Sequence, residues 1–226
     1  MGSDLMIGEI LNRIYQLLLE RFGPQHWWPG DTPFEIIVGA ILTQNTNWGN
    51  VEKAIANLKS ADCLTPEKLH HLELAPLAQL IRPAGYFNIK AKRLKSFVSW
   101  LFRNYDGDIR NLESLRTEEL RDQLLAVKGI GHETADSILL YALARPIFVV
   151  DAYTARTAIR HGLIEPGADY EQLRELFQSN LAEDVQIFNE YHALLVRLGK
   201  QFCKPKALCP GCPLESLPHT VDIECF

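Results

Sequence analysis

Residues 124–136 read Leu-Leu-Ala-Val-Lys-Gly-Ile-Gly-His-Glu-Thr-Ala-Asp, and a single acid, Asp151, follows 20 residues after Gly131. The first stretch ends one helix and starts another across a Gly-Ile-Gly turn. Glycines there permit positive φ and let a second backbone come close, and Ile130 can pin the turn into a core. The second helix presents its first N–H groups without intrahelical partners, and with the helix dipole these form an anion site suited to a DNA phosphate. Such contacts position a duplex without reading its sequence. A simple helix–helix turn is the plainer alternative. Asp151 closes the run Ile147-Phe148-Val149-Val150-Asp151 immediately ahead of a helix, where it should face back toward the hairpin. An Asp in that place is commonly an N-cap; a carboxylate available for chemistry is the other reading.

The cysteines form a second candidate. Cys63 stands alone, whereas Cys203, Cys209, Cys212 and Cys225 fall near the C-terminus. An odd number in a chain expected to be cytoplasmic does not suggest a disulfide framework, and the cluster suggests a metal. The expectation of a cytoplasmic protein comes from Met1 to Ile10, which lacks a basic start followed by an apolar block, and from the lack of an apolar run of roughly 18–20 residues. With 226 residues the chain can bury a real core. A net charge of -5 excludes a uniformly basic nucleic-acid binder, but it leaves a local basic patch open.

The elements that must position these residues are helical. Apolar spacing of three and four predicts helices over Leu5 to Phe22, Phe34 to Thr43, Val51 to Leu58, Ile89 to Phe102, Thr117 to Val127, His132 to Ala144, Ala152 to His161, Tyr170 to Asn180 and Asp184 to Leu198. Asp31-Thr32-Pro33 and Thr65-Pro66-Glu67 are helix starts, and Ala75-Pro76 is a weaker one. Phe34 to Thr43 is nearly continuous apolar, so it should be a buried central helix. Lys90, Lys92 and Arg93 read as a solvated basic face that would suit phosphates. Ile147 to Val150 reads as a buried extended connector. The expected fold class is all-α.

Three segments resemble one family in matching order. Leu125 to Gly162 is similar to the helix-hairpin-helix, Gly/Pro-rich loop and Asp signature of the endonuclease III superfamily of DNA glycosylases. Phe34 to Thr46 resembles that family's buried helix ending in a Gln that enters DNA, here Gln44. Gly85-Tyr86-Phe87-Asn88, followed by Lys90-Ala91-Lys92, resembles its second DNA-probing loop. The resemblance spans roughly residues 5–212. It implies a two-lobed fold, residues 24–135 as a six-helix bundle and residues 1–23 with 136–226 as a composite lobe. A damaged nucleotide would be flipped into the cleft between them, because its glycosidic bond is out of reach in the stack. It implies Asp151 as the catalytic carboxylate, stabilising an oxocarbenium-like sugar and orienting or deprotonating the attacking water. It implies DNA contacts at Gln44, Tyr86, Lys128, Gly129, Ile130, Gly131, Glu133 and Thr134, double-stranded DNA as partner, and a monomer.

Departures from the family pattern narrow the reading. Bifunctional members carry a Lys two residues after the second hairpin glycine; here Glu133 stands there, and a carboxylate cannot be the amine nucleophile. Base removal by water without lyase chemistry is therefore expected; for Glu133 itself, a solvated acid favoured by the helix dipole is the plainer reading. Trp27-Trp28-Pro29, Leu42-Thr43-Gln44-Asn45-Thr46 and Trp48 resemble the monofunctional 3-methyladenine branch. Trp27, Trp28 and Trp48 are the expected walls of a pocket for an alkylated purine, with core or rim packing as the alternative. A bifunctional enzyme acting on oxidised pyrimidines and a non-catalytic DNA-binding relative are the other readings. Cys203-x5-Cys209-x2-Cys212 is similar to the family's [4Fe–4S] loop. The first gap is a residue short, and Pro218 stands where a fourth Cys is expected. Cys225 could close the set, His219 could substitute, the cluster could be lost, or zinc could be held instead. Cys63 reads as a buried small hydrophobe.

Overall fold

A computed structural model describes residues 7–28 and 30–221. Eleven α-helices were found among them and no strand, so the chain is all-α. No helix of the described residues is long and apolar enough to cross a membrane. The chain divides into two compact units, Trp28–Arg145 and Met1–Trp27 with Pro146–Phe226.

The first unit holds α2 (Pro33–Thr43), α3 (Trp48–Ser60), α4 (Pro66–His71), α5 (Leu74–Leu80), α6 (Phe87–Tyr105), α7 (Thr117–Leu125) and α8 (His132–Ser137). Thr32 caps α2 by accepting from the Glu35 amide, with Pro33 in the first turn. Most of α2 is buried, from Phe34 through Leu42 with little interruption, as expected of a helix that is apolar on nearly all faces. Thr65 caps α4 in the same way. α5 starts at Leu74, ahead of Ala75-Pro76, because proline is tolerated throughout the first turn where no N–H partner is lost. α3 starts earlier than Val51, at Trp48, because Asn47 accepts from the Asn50 amide and caps it.

The helix expected over His132 to Ala144 is not continuous. α8 stops at Ser137, and Ile138–Ala142 forms a π turn. The wider turn advances the register by one residue, and Ile138, Leu139, Leu140 and Tyr141 are all buried.

Lys90 corrects the expectation of a solvated basic face. Its residue is 1% exposed, and Nζ donates to the carbonyls of Leu42 (2.9 Å) and Ala84 (2.7 Å). An ammonium here satisfies two backbone acceptors at the C-terminal end of α2 and in the 3-10 turn Arg82–Ala84, which a methylene could not. Lys92 alone of the trio is exposed; Arg93 is half-buried.

The second unit holds α1 (Ile7–Phe22), α9 (Ala152–Arg160), α10 (Tyr170–Gln178) and α11 (Val185–Gln201). α1 buries Leu11, Ile14 and Leu18 on one stripe, and Tyr191 of α11 donates its hydroxyl to the Leu11 carbonyl at 2.8 Å. Residues 147–150 are buried without being a helix or strand. Their backbone is satisfied by side chains: Phe148 N donates to Gln178 Oε1 and Val150 N to the Tyr170 hydroxyl. Phe148 stacks on Phe177 with centroids 4.4 Å apart. The connector is thereby anchored just before Asp151.

Burial pushes the Lys90 ammonium down to about 8, with the neighbouring Arg93 charge adding to it. Below that pH both folded and unfolded chains carry the proton, and the desolvation penalty is fully present. Between about 8 and the unfolded value near 10.5 the unfolded chain binds more protons, so stability rises with pH. Raising the pH from 7 to 10 should stabilise wild-type by about 2–3 kcal/mol relative to Lys90→Met, measured by urea denaturation of both; an equal pH dependence of the two would refute it.

Candidate active site and DNA-binding elements

Asp151 is the N-cap of α9. Its Oδ1 accepts from the amides of Tyr153 (2.9 Å) and Thr154 (2.8 Å) and from the Thr154 hydroxyl (3.0 Å). Its Oδ2 lies 3.5 Å from Nε2 of His192 on α11. The side chain is 11% exposed. Burial pushes the carboxyl up, but His192 and the Thr154 bonds outweigh it and hold the group below the ordinary carboxylate value. The capping and chemical readings of Asp151 therefore coexist: one oxygen caps, and the group stays ionised. His192 was not singled out in the sequence. Only its place on a 17-residue amphipathic helix brings it to a residue 41 positions earlier.

α9 itself is held closely. A Cβ on Gly199 of α11 would stand 2.1 Å from the Tyr153 ring, so glycine lets α9 and α11 approach at the first turn after Asp151. On the other side two buried arginines reach the cysteine loop. Arg156 Nε donates to the Cys203 carbonyl at 2.6 Å. Arg160 donates to the carbonyls of Lys204 and Pro205, both at 2.7 Å, and to Cys203 Sγ at 3.3 Å. Neither contact was legible in the sequence, because a basic residue in an amphipathic helix reads as solvated until its partner is known.

The hairpin forms as expected in the other unit. Gly129 has φ +94, and a Cβ there would meet Arg93 Cγ at 2.4 Å, so this glycine answers both a left-handed backbone and a close neighbour. Ile130 is 5% exposed and pins the turn. Gly131 is the N-cap of α8, and no side chain caps it. Lys128 and Glu133 are exposed, while Thr134 is buried. Behind the hairpin, Arg121 holds Asp136 through two bonds at 2.6 and 3.1 Å.

Gln44 does not project freely. Its Nε2 donates to the Gly129 carbonyl (3.1 Å) and to Thr134 Oγ1 (2.8 Å), and its Oε1 accepts from Arg93. The end of α2, the hairpin and α6 thus share one amide. Tyr86 is different: it stands at φ +44 ahead of α6 and is 68% exposed.

The three tryptophans separate. Trp28 meets Trp48 edge-on with centroids 4.9 Å apart and stacks on Tyr141 at 5.0 Å. Both indoles lie over Gly39 of α2. Trp27 instead carries the Lys200 ammonium 5.9 Å from its ring. Tyr141 was missed because it sits in the π turn, where a helical register assigns it to ordinary core.

Cys203, Cys209 and Cys212 line one cavity of about 30 Å³, with His219 and Arg160 also on its wall. Burial pushes the Cys212 thiol up, and the nearby Cys203 and Cys209 add to this. The donors are of the kind that bind iron or zinc. They do not complete a site: no group of three or more His, Cys, Asp or Glu among the described residues is arranged to hold a metal ion. Cys225 lies outside the described residues. Cys63 is half-buried rather than buried, its Sγ donating to the Ala61 carbonyl.

An all-α protein carrying a glycine hairpin in one unit and an ionised N-cap aspartate in the other defines the helix-hairpin-helix glycosylase class. Residues 38–183 match the HhH-GPD superfamily of base excision DNA repair proteins. The chain belongs to that superfamily and is a DNA glycosylase. It is 49% identical over 211 residues to a Methanocaldococcus jannaschii protein named as a DNA repair glycosylase, covering 92% of this chain and 94% of that one. A solved structure of the H. pylori 3-methyladenine DNA glycosylase MagIII, bound to 1,N6-ethenoadenine, is 32% identical with a TM-score of 0.72, over 87% of this chain and 98% of that one. An endonuclease III–DNA complex shares the fold with a TM-score of 0.80 at 21% identity, over 95% and 96% of the two chains.

Because His192 is a main cause of the low Asp151 value, His192→Gln should raise it. The acid limb of the pH–rate profile for base release should then move to higher pH, with the plateau rate less affected. A limb at the wild-type position would show that His192 does not set the ionisation of Asp151.

Proposed function

We propose that this protein removes an alkylated purine from double-stranded DNA by hydrolysis, without abasic-site lyase chemistry. The observation that carries the reading is the Asp151 carboxylate, kept ionised although its side chain is only 11% exposed. Departure of a base leaves positive charge on the sugar, and a fixed carboxylate stabilises that charge without reorganising. The same group can orient a water for attack at C1′. An alkylated purine already carries positive charge as it leaves, so no strong general acid is required.

Two features support the finer points. Glu133 supplies no amine at the hairpin position where a Schiff-base nucleophile would stand. Trp28 and Trp48 lie over the small residue Gly39, and Tyr141 stacks on Trp28; a cluster of electron-rich rings suits a cationic base. The relative at 32% identity is a 3-methyladenine glycosylase bound to an etheno-modified adenine, in keeping with a purine substrate. The hairpin would hold phosphate through its amides. Lys128, Gly129, Ile130, Gly131, Glu133 and Thr134 are its contact residues, with Gln44 and Tyr86 entering the stack. For Gln44 this entails exchanging its bonds to Gly129, Thr134 and Arg93 for bonds to DNA.

Duplexes carrying alkylated purines, oxidised pyrimidines or mismatched thymine, treated with alkali after incubation, should be cleaved only where the purine is alkylated. Asp151→Asn should lower that release by at least about 100-fold while duplex binding persists. Borohydride with abasic DNA should yield no covalent adduct; an adduct lost in Lys128→Ala would instead establish a bifunctional enzyme.

We further propose that the C-terminal loop holds a structural [4Fe–4S] cluster through Cys203, Cys209, Cys212 and Cys225. Three thiols on one cavity and the arginine bonds from α9 support it. Protein purified without oxygen should contain about four irons per chain, and Cys225→Ser should lower the iron content and the thermal midpoint. Retention of full iron by Cys225→Ser would exclude this ligand set.

A further inference from the structure

A groove of about 400 Å³ lies between α6 and the residues that lead into the hairpin. Its ionisable lining is wholly cationic: Lys95 and Arg103 from α6 and Lys128 from the hairpin. Ser96 and Ser99 add hydroxyls between them. The chain as a whole carries five excess negative charges, so a wall without an acid departs from the average surface. Lys95 donates to the carbonyls of Leu69, His70 and Leu72, which fixes its charge in place. Arg103 and Lys128 are exposed, and neither has an acidic partner among the described residues. Lys92, also exposed, stands one turn before Ser96 on the same helix.

We propose that this groove takes backbone phosphates of the duplex beside the lesion, extending the DNA track from the hairpin along α6. The proposal rests on the hairpin being the point where the duplex is held. Lys128 belongs to both features: it precedes Gly129 at the hairpin and forms one end of the groove. From Ser96 to Arg103 is seven residue steps, about 10 Å of helix. One strand advances about 3.4 Å along the duplex axis per phosphate, so the stripe is long enough for two or three successive phosphates. Serine hydroxyls and a guanidinium fork are suited to phosphate oxygens and indifferent to base identity. A glycosylase that must inspect undamaged DNA needs this sequence-independent contact. The groove supplies it in a chain whose net charge opposes it.

Binding of the full chain to an undamaged fluorescent duplex, followed by anisotropy across a KCl series, tests this directly. Arg103→Gln should weaken binding and make the slope of log Kd against log[KCl] shallower by about 0.9, the loss of one phosphate contact. Arg103→Lys should keep the wild-type slope, since the charge remains. Ser99→Glu, which places an acid in the groove, should weaken binding at low salt, and thermal melts of all variants report on folding. A wild-type slope in Arg103→Gln, or a slope lost equally in Arg103→Lys, overturns the proposal. Base release by the wild-type preparation reads the glycosylase assignment separately, so failure of either is distinguishable.

Discussion

A carboxylate that must remain charged while nearly excluded from water is the constraint around which the second unit is organised. Removing water disfavours the ionised form of Asp151, and three donors from α9 together with His192 from α11 reverse that preference. Those donors are worth something only if the two helices keep a fixed separation. Gly199 brings α11 against Tyr153, the aromatic stack on Phe148 anchors the chain that enters Asp151, and the arginines of α9 tie its far end to the loop after α11. The persistent charge of one side chain is thus a property of a packed group of elements.

The first unit shows a comparable economy with backbone groups. The C-terminal end of α2 leaves carbonyls that the helix cannot satisfy. Lys90 takes that of Leu42, and the Gln44 side chain just beyond reaches the hairpin carbonyl and Thr134. Both of the segments that resemble DNA-probing loops are consequently fastened to α6: the Gln44 segment through Lys90 and Arg93, and the Tyr86 turn through the Lys90 side chain and the backbone amides of Ile89 and Lys90. Tyr86 itself stays exposed in a left-handed conformation. One element keeps its polar head engaged and the other presents its ring to solvent, so their entry into a duplex would have different energetic costs.

The cysteine loop is tied to α9 by hydrogen bonds from two arginines. Arg156 and Arg160 contact its carbonyls along one face of the helix that Asp151 caps. A change in the loop is therefore felt by α9 directly.

Patterns confined to one segment were legible in the amino-acid sequence: the helices, the caps at Thr32 and Thr65, the glycine hairpin, Asp151 ahead of α9, and the absence of a lysine at position 133. Local stereochemistry and apolar periodicity determine these, and both act over a few residues. Contacts between distant segments were decided only by tertiary structure. Lys90 reads as solvated by its charge and turns out buried, because its carbonyl partners are 48 and 6 residues away. Trp27 and Trp28 read alike as neighbours yet face different partners. Tyr141 joins the indoles because a π turn changes its register, and His192 meets Asp151 only once α9 and α11 are packed. Side-chain ionisation and aromatic pairing depend on what lies within a few ångströms in space, and chain order alone does not contain that.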